Sequence, residues 1–277
     1  MNFKNIFKIL IYCFALVGFV FVAVFFAMQF GWLNVKGSVS ERNSYFQIND
    51  KLNLNTIDTT EIKDSWKDTA DWALLKEVFT RDQDVINRAA HDAGISPRLI
   101  LGGVMGEQLR FFSNRRESFK NYFEPMKILA TLSKFSFGIA GLKPQTVALI
   151  DEHLKNSKSV YYLGPEMEHI ADYATDANID SEIMTRITNT KDPYYSYLYV
   201  GLYMRQVVAQ WKAAGYDISE RPEVIATLYN LGFNRSIPKP DAKAGGADIT
   251  IGGKVYTFGD IAYEFYYSDE LTDIFPR

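Results

Sequence analysis

A single cysteine, three histidines and no surplus of positive charge over 277 residues exclude several kinds of protein at the outset. Cys13 lies in an apolar N-terminal run, so the rest of the chain has neither a disulfide framework nor thiolate metal sites, and stability must come from packing. His91, His153 and His169 stand in no HExxH or paired-cysteine setting, and EMEHIAD puts acids near His169 without a ligand spacing, so no metal site is expected. Gly245-Gly246 and Gly252-Gly253 belong to turns rather than phosphate-cradling loops, and no cofactor is expected either. With 30 basic against 33 acidic residues and a net charge of −3, the chain lacks the basic field that holds nucleic acid, which excludes that partner. No fixed-period repeat or low-complexity tract occurs. Apolar residues, by contrast, make up 47% of the chain, enough for one large core or two small ones.

The longest apolar stretch comes first. Ile9 to Phe30, ILIYCFALVGFVFVAVFFAMQF, has no charge over 22 residues, which at about 1.5 Å per residue crosses a hydrocarbon core of about 30 Å. Lys4 and Lys8 precede it, an arrangement that puts the N-terminus in the cytoplasm and the chain after Trp32 outside. A cleaved signal peptide would have a shorter apolar region and a small-x-small cleavage site, which VFFAMQF lacks, so an uncleaved anchor over residues 1–32 is expected. Residues 33–50, LNVKGSVSERNSYFQIND, are polar without a helical period and read as a linker. The folded domain then occupies residues 51–277.

That domain has a mainly α pattern. Segment 59–80 carries a broad apolar stripe of Trp66, Trp72, Leu75, Val78 and Phe79. A second helix is expected from Asp82 to Ala93, stopped by Gly94, and a third opens at Ser96-Pro97, with Ser as N-cap and Pro at the first helical position. Further helices are expected at 145–155, 165–177, 194–214 and 222–231. Near the end, ADITIGGKVYTFGD has two alternating runs around Gly252-Gly253, the pattern of a β-hairpin.

The third helix raises the functional question. In the helix that runs through GVMGEQLRFF, residues 103–112, Leu101, Val104, Met105, Leu109 and Phe112 recur at three- and four-residue steps as a core face, and Glu107 lies away from its centre. Gly102, Gly103 and Gly106 surround it, each costing about 0.5–1 kcal/mol relative to alanine in a helix interior, so something packs closely here. On its own this pattern describes a solvated glutamate beside a neighbouring helix.

Two later stretches bear on it. SFGIAGLKPQTV at 136–147 and ATLYNLG at 226–232, taken with Glu107 in that order, resemble the three signatures of the lysozyme-like fold shared by lytic transglycosylases and goose-type lysozymes. Those signatures are a glutamate late in a helix, a G-L-M-Q-[IV]-x-P-x-T-A loop and helix start, and A-Y-N-x-G. The resemblance spans residues 82–236. It implies a lysozyme-like helical domain with Glu107 as the catalytic acid, Gly138, Ile139 and Gly141 from the second motif, and Tyr229 and Asn230 from the third, as substrate-binding positions. Gly141 stands where the family commonly has Gln, and Glu107-Gln108 where it has Glu-Ser.

The activity implied is cleavage of peptidoglycan glycan strands between MurNAc and GlcNAc, from the periplasmic side of a bacterial inner membrane, with residues 9–30 as a single-pass anchor. A glycosidase ordinarily needs two carboxylates, but none occurs between Glu124 and Asp151, so the second motif supplies none. This favours a single-acid mechanism in which Glu107 gives a proton to the leaving oxygen and then takes one from the C6 hydroxyl, leaving 1,6-anhydro ends, assisted by the substrate's acetamido group. Glu117 and Glu124 are the alternative second carboxylates. A hydrolytic lysozyme on the same fold, acting on modified (deacetylated) glycan, and an inactive glycan-binding or envelope scaffold are the other readings. Arg110, Arg115, Arg116 and Lys120 form a basic group suited to peptide-stem carboxylates or to a solvated face. Tyr195, Tyr199 and Tyr203 share a helical face that would serve either as a sugar platform or as core.

Overall fold

The computed structural model describes residues 65–113, 138–174, 178–251 and 253–277, together with residues 8, 12, 14–20 and 22–23, which are helical. Among the latter, Phe14, Leu16, Phe19 and Val20 are exposed. Among the described residues no helix is long and apolar enough to cross a membrane. Much of the expected anchor, the linker at 33–50, and Arg115, Arg116, Glu117, Lys120 and Glu124 fall outside the described residues.

The described chain is mainly helical with one two-stranded sheet. Trp66 opens it in a short 3-10 turn and packs edge-on against Trp72 of α1 (Ala70–Arg81), whose Thr69 N-cap oxygen accepts from the Trp72 amide. Next comes α2 (Gln83–Ala93), and Gly94 at φ 67° ends it. Ser96 Oγ then accepts from the Arg98 amide at 3.2 Å and Pro97 occupies the first turn of α3 (Pro97–Ser113), the capping that Ser-Pro predicts.

α3 is the central helix. Residues 101–109 are buried around its whole circumference, not along one stripe, because α1, α2, β1 and three later helices all contact it. Those helices are α6 (Tyr194–Ala213), α7 (Pro222–Leu231) and α8 (Phe258–Tyr267). Between α3 and α6 lie α4 (Pro144–Lys155) and α5 (Ile179–Ile187). β1 (Asp248–Ile251) and β2 (Lys254–Thr257) pair antiparallel with Ile249 opposite Tyr256, both buried, as the alternating pattern requires.

Three elements differ from expectation. The described part of the expected helix 165–177, residues 165–174, is not helical: Pro165–Met167 makes a 3-10 turn, and the chain beyond it runs through turns to irregular backbone at 172–174. Its backbone is diverted by buried Arg186, whose guanidinium takes the carbonyls of Ala171 and Asp172 at 2.7 and 2.6 Å. α5 and α8 were not expected. α5 is a short helix, and Thr257 and Asp260 form a capping box that marks the start of α8. The tyrosines of α6 are largely core: Tyr199 and Tyr203 are buried, with Tyr203 stacked on Phe233 at 4.2 Å and donating to the Leu228 carbonyl.

Candidate functional site

Glu107 projects from the buried length of α3 and is 9% exposed. It opens onto a cavity of about 120 Å³ lined by Arg110, Gly141–Lys143, Thr146 and Tyr229–Gly232. The three sequence stretches therefore converge: the helix carrying Glu107, the turn before α4, and the end of α7. Among the described lining residues Glu107 is the only carboxylate, and Arg110 and Lys143 are the cationic residues.

Each wall has a local cause. The turn at 138–141 needs left-handed backbone at both of its glycines, Gly138 with φ 68° and Gly141 with φ 64°. A Cβ at Gly141 would stand 2.8 Å from Glu107 Oε2, so this position is a glycine because backbone must lie against the carboxylate. A side chain here would need the left-handed backbone and would displace the Glu107 carboxylate. A Cβ at Gly138 would collide with the Ile187 carbonyl at 1.8 Å, which seats the turn on the end of α5.

Two side chains fix the turn to the helices. Buried Gln108 donates its amide to the Ile139 carbonyl, and Tyr229 donates its hydroxyl to the Ala140 carbonyl at 2.7 Å. Burial, followed by the negative charge of Glu107, raises the Tyr229 phenol well above its ordinary pKa, so it remains a protonated donor. Asn230 bridges two elements. Its Nδ2 points to Glu107 Oε1 at 3.4 Å, and its Oδ1 accepts from the Ala247 amide ahead of β1 at 2.9 Å.

Of the residues expected from sequence, Glu107, Gly141, Tyr229 and Asn230 meet at the cavity, while Gly138 and Ile139 lie behind its wall, Ile139 buried. Tyr229 holds the turn with its hydroxyl. Gly103 and Gly106 are not where a loop or ligand approaches: Cβ atoms there would meet Met204 Cε and the Phe258 ring, each at 2.6 Å. They admit α6 and α8. Arg110, one of the basic group noted in the sequence, joins the cavity residues from one turn on: its Nη2 donates to Glu107 Oε2 at 2.6 Å. Its i+3 spacing from Glu107 was the available signal. Lys143, Thr146 and Leu142 also line the cavity; they lie within the second motif, and only the fold reveals which of its residues face inward.

Among the described residues no group of three or more histidine, cysteine, aspartate or glutamate side chains could hold a metal ion. Chemically, the arrangement offers one proton-transfer group, Glu107, a cation that neutralises it, and an amide donor. No protein-family model, curated protein or solved structure matches the chain.

Proposed function

We propose that the protein cleaves peptidoglycan glycan strands as a lytic transglycosylase, with Glu107 as the single acid and base. The observation that carries this reading is one buried carboxylate at the floor of a cavity whose other walls come from the second and third motif-like stretches. A glycosidic oxygen above Glu107 would receive its proton, breaking the bond to the anomeric carbon. The carboxylate so formed would then take the C6 hydroxyl proton as that oxygen closes on the same carbon, giving the 1,6-anhydro ring. The acetamido oxygen of the sugar would carry the positive charge in between, a substrate-assisted course that needs no second protein carboxylate.

Asn230 is placed to hold the Glu107 carboxylate during the return transfer, and Tyr229 keeps the Gly141 turn against it. The same reading makes residues 9–30 the anchor that holds the domain on the periplasmic face of the inner membrane.

Purified full-length protein in detergent, incubated with sacculi, tests the reading by mass analysis of the released fragments. Anhydro ends are expected. Reducing ends would instead assign hydrolysis by water on the same site. Glu107→Gln should lower the rate at least about 100-fold, the lower range of what general acid-base catalysis contributes. A folded Glu107→Gln variant that cleaves at the wild-type rate would remove Glu107 from the mechanism.

A further inference from the structure

The buried stretch of α3, residues 101–109, holds two polar side chains, and they are neighbours: Glu107 and Gln108. Both meet the same short turn. Glu107 lies against Gly141, where an added Cβ would stand 2.8 Å from Oε2, and fully buried Gln108 donates its Nε2 amide to the Ile139 carbonyl two residues earlier. Burying an amide costs free energy that a leucine or methionine of similar size would not incur. What the amide adds over those residues is its hold on the turn.

The turn is pinned from several sides. Gly138 sits on the Ile187 carbonyl at the end of α5, and Tyr229 of α7 takes the Ala140 carbonyl at 2.7 Å. Of the two hydrogen bonds to its carbonyls named here, that of Gln108 comes from the helix that also carries Glu107. The separation between the Gly141 backbone and the carboxylate is therefore set from within α3. Glu107 is confined by that backbone and by Arg110 Nη2 on Oε2, with Asn230 Nδ2 at 3.4 Å from Oε1. If the turn recedes, Oε2 loses its wall and the side chain gains room to rotate about its terminal bonds.

We infer that Gln108 is a positioning residue for the cleavage reaction: by holding the Ile139 carbonyl from α3, it keeps the Gly141 backbone against the Glu107 carboxylate and confines that carboxylate to one geometry. This rests on the role given to Glu107 above. Gln108 is not among the described residues that line the cavity, so it acts through the turn and not on the sugar. No bond is made or broken at Gln108 itself.

The test uses full-length protein in detergent and soluble glycan strands of defined length under single-turnover conditions. Gln108→Met keeps the length of the side chain and removes the donor. Its rate should fall about 10- to 100-fold, the larger figure being the effect of a misplacement of about 1 Å, with urea denaturation showing the variant folded. In a Glu107→Gln background the same substitution should change the residual rate by less than about twofold, because nothing is left for it to position. A merely structural side chain would lower both backgrounds alike. Gln108→Glu supplies a rescue: its carboxyl offers the Ile139 carbonyl a donor only when protonated, so its rate relative to the wild type should climb as pH falls.

A folded Gln108→Met variant that cleaves at the wild-type rate overturns the inference, as does an equal loss in the two backgrounds. Should Gln108→Met fail to fold, Gln108→Glu decides, and a rate relative to the wild type that stays flat with pH overturns it. A wild type that leaves glycan uncleaved, or a folded Glu107→Gln variant at the wild-type rate, overturns instead the reading on which the inference rests.

Discussion

Gly141 shows how much one missing side chain decides. Its left-handed φ already disfavours any L-residue, and its Cα hydrogen points at the Glu107 carboxylate, where a methyl would lie 2.8 Å from Oε2 and 3.1 Å from Cδ. Gly141→Ala is expected to displace the carboxylate from Arg110 and Asn230 and to destabilise the protein by about 1–3 kcal/mol, the range for a strained backbone position. Sacculus digestion and urea denaturation check the two effects. A variant with wild-type cleavage would mean that the backbone does not need to lie against Glu107. Legibility at this scale was uneven. Glu107, Tyr229 and Asn230 could be picked out by their neighbours along the chain, whereas Arg110 was visible only as one basic residue among several. Its i+3 spacing permits a contact with Glu107, but only the fold shows that the guanidinium makes it.

At the scale of elements, the position of α3 depends on a residue that periodicity does not flag. Arg98, on the first turn of α3, is fully buried and donates to the carbonyls of Phe265, Tyr266, Ser268, Glu270 and Phe275, while its guanidinium lies 4.5 Å from the centre of the Phe265 ring. It ties the start of the helix bearing Glu107 to the end of α8 and the tail beyond it. Arg98→Ala is expected to cost about 3 kcal/mol or more, because several buried carbonyls lose their donor together. Arg98→Lys should recover little, since one ammonium cannot span the acceptors. The midpoint of chemical denaturation measures this, and a loss below about 1 kcal/mol would show that water satisfies the tail instead. The helices around α3 were legible where caps and stripes coincide, as at Ser96-Pro97 and Gly94. At 165–174 a helix-forming composition yields to the two carbonyl bonds made by Arg186 at Ala171 and Asp172, a contact that spacing does not show.

For the molecule as a whole, one half-buried acid outside the cavity makes stability depend on pH. Asp151 of α4 faces Tyr173, Tyr199, Arg186 and Lys155; burial is the main cause that pushes its carboxyl up to about 6, opposed by the Tyr173 hydrogen bond and the charge of Arg186. Among the described residues Oδ1 has no hydrogen-bond partner. Because the folded-state value is raised, the protonated form fits the fold better. The stabilisation it provides is complete below about pH 4 and is lost as pH rises through about 6, amounting to about 1–3 kcal/mol. Asp151→Asn keeps an acceptor for Tyr173 without the charge, so its melting temperature relative to the wild type should climb by several degrees between pH 4 and pH 7. A difference that stays constant with pH would remove Asp151 as the cause.

The sequence by itself determined the class of the fold, its hairpin and most of its helices, because capping residues, glycine stops and apolar spacing act over a few residues. It also marked Glu107 as an acid in an unusual setting. Only the tertiary structure decided what that setting is. Gly103 and Gly106 are spent on admitting α6 and α8, Gly141 brings backbone against the carboxylate, and Arg110 closes on it. Those relations join positions that are near in space through the packing of whole helices, and the distances that set their chemistry have no counterpart in spacing along the chain.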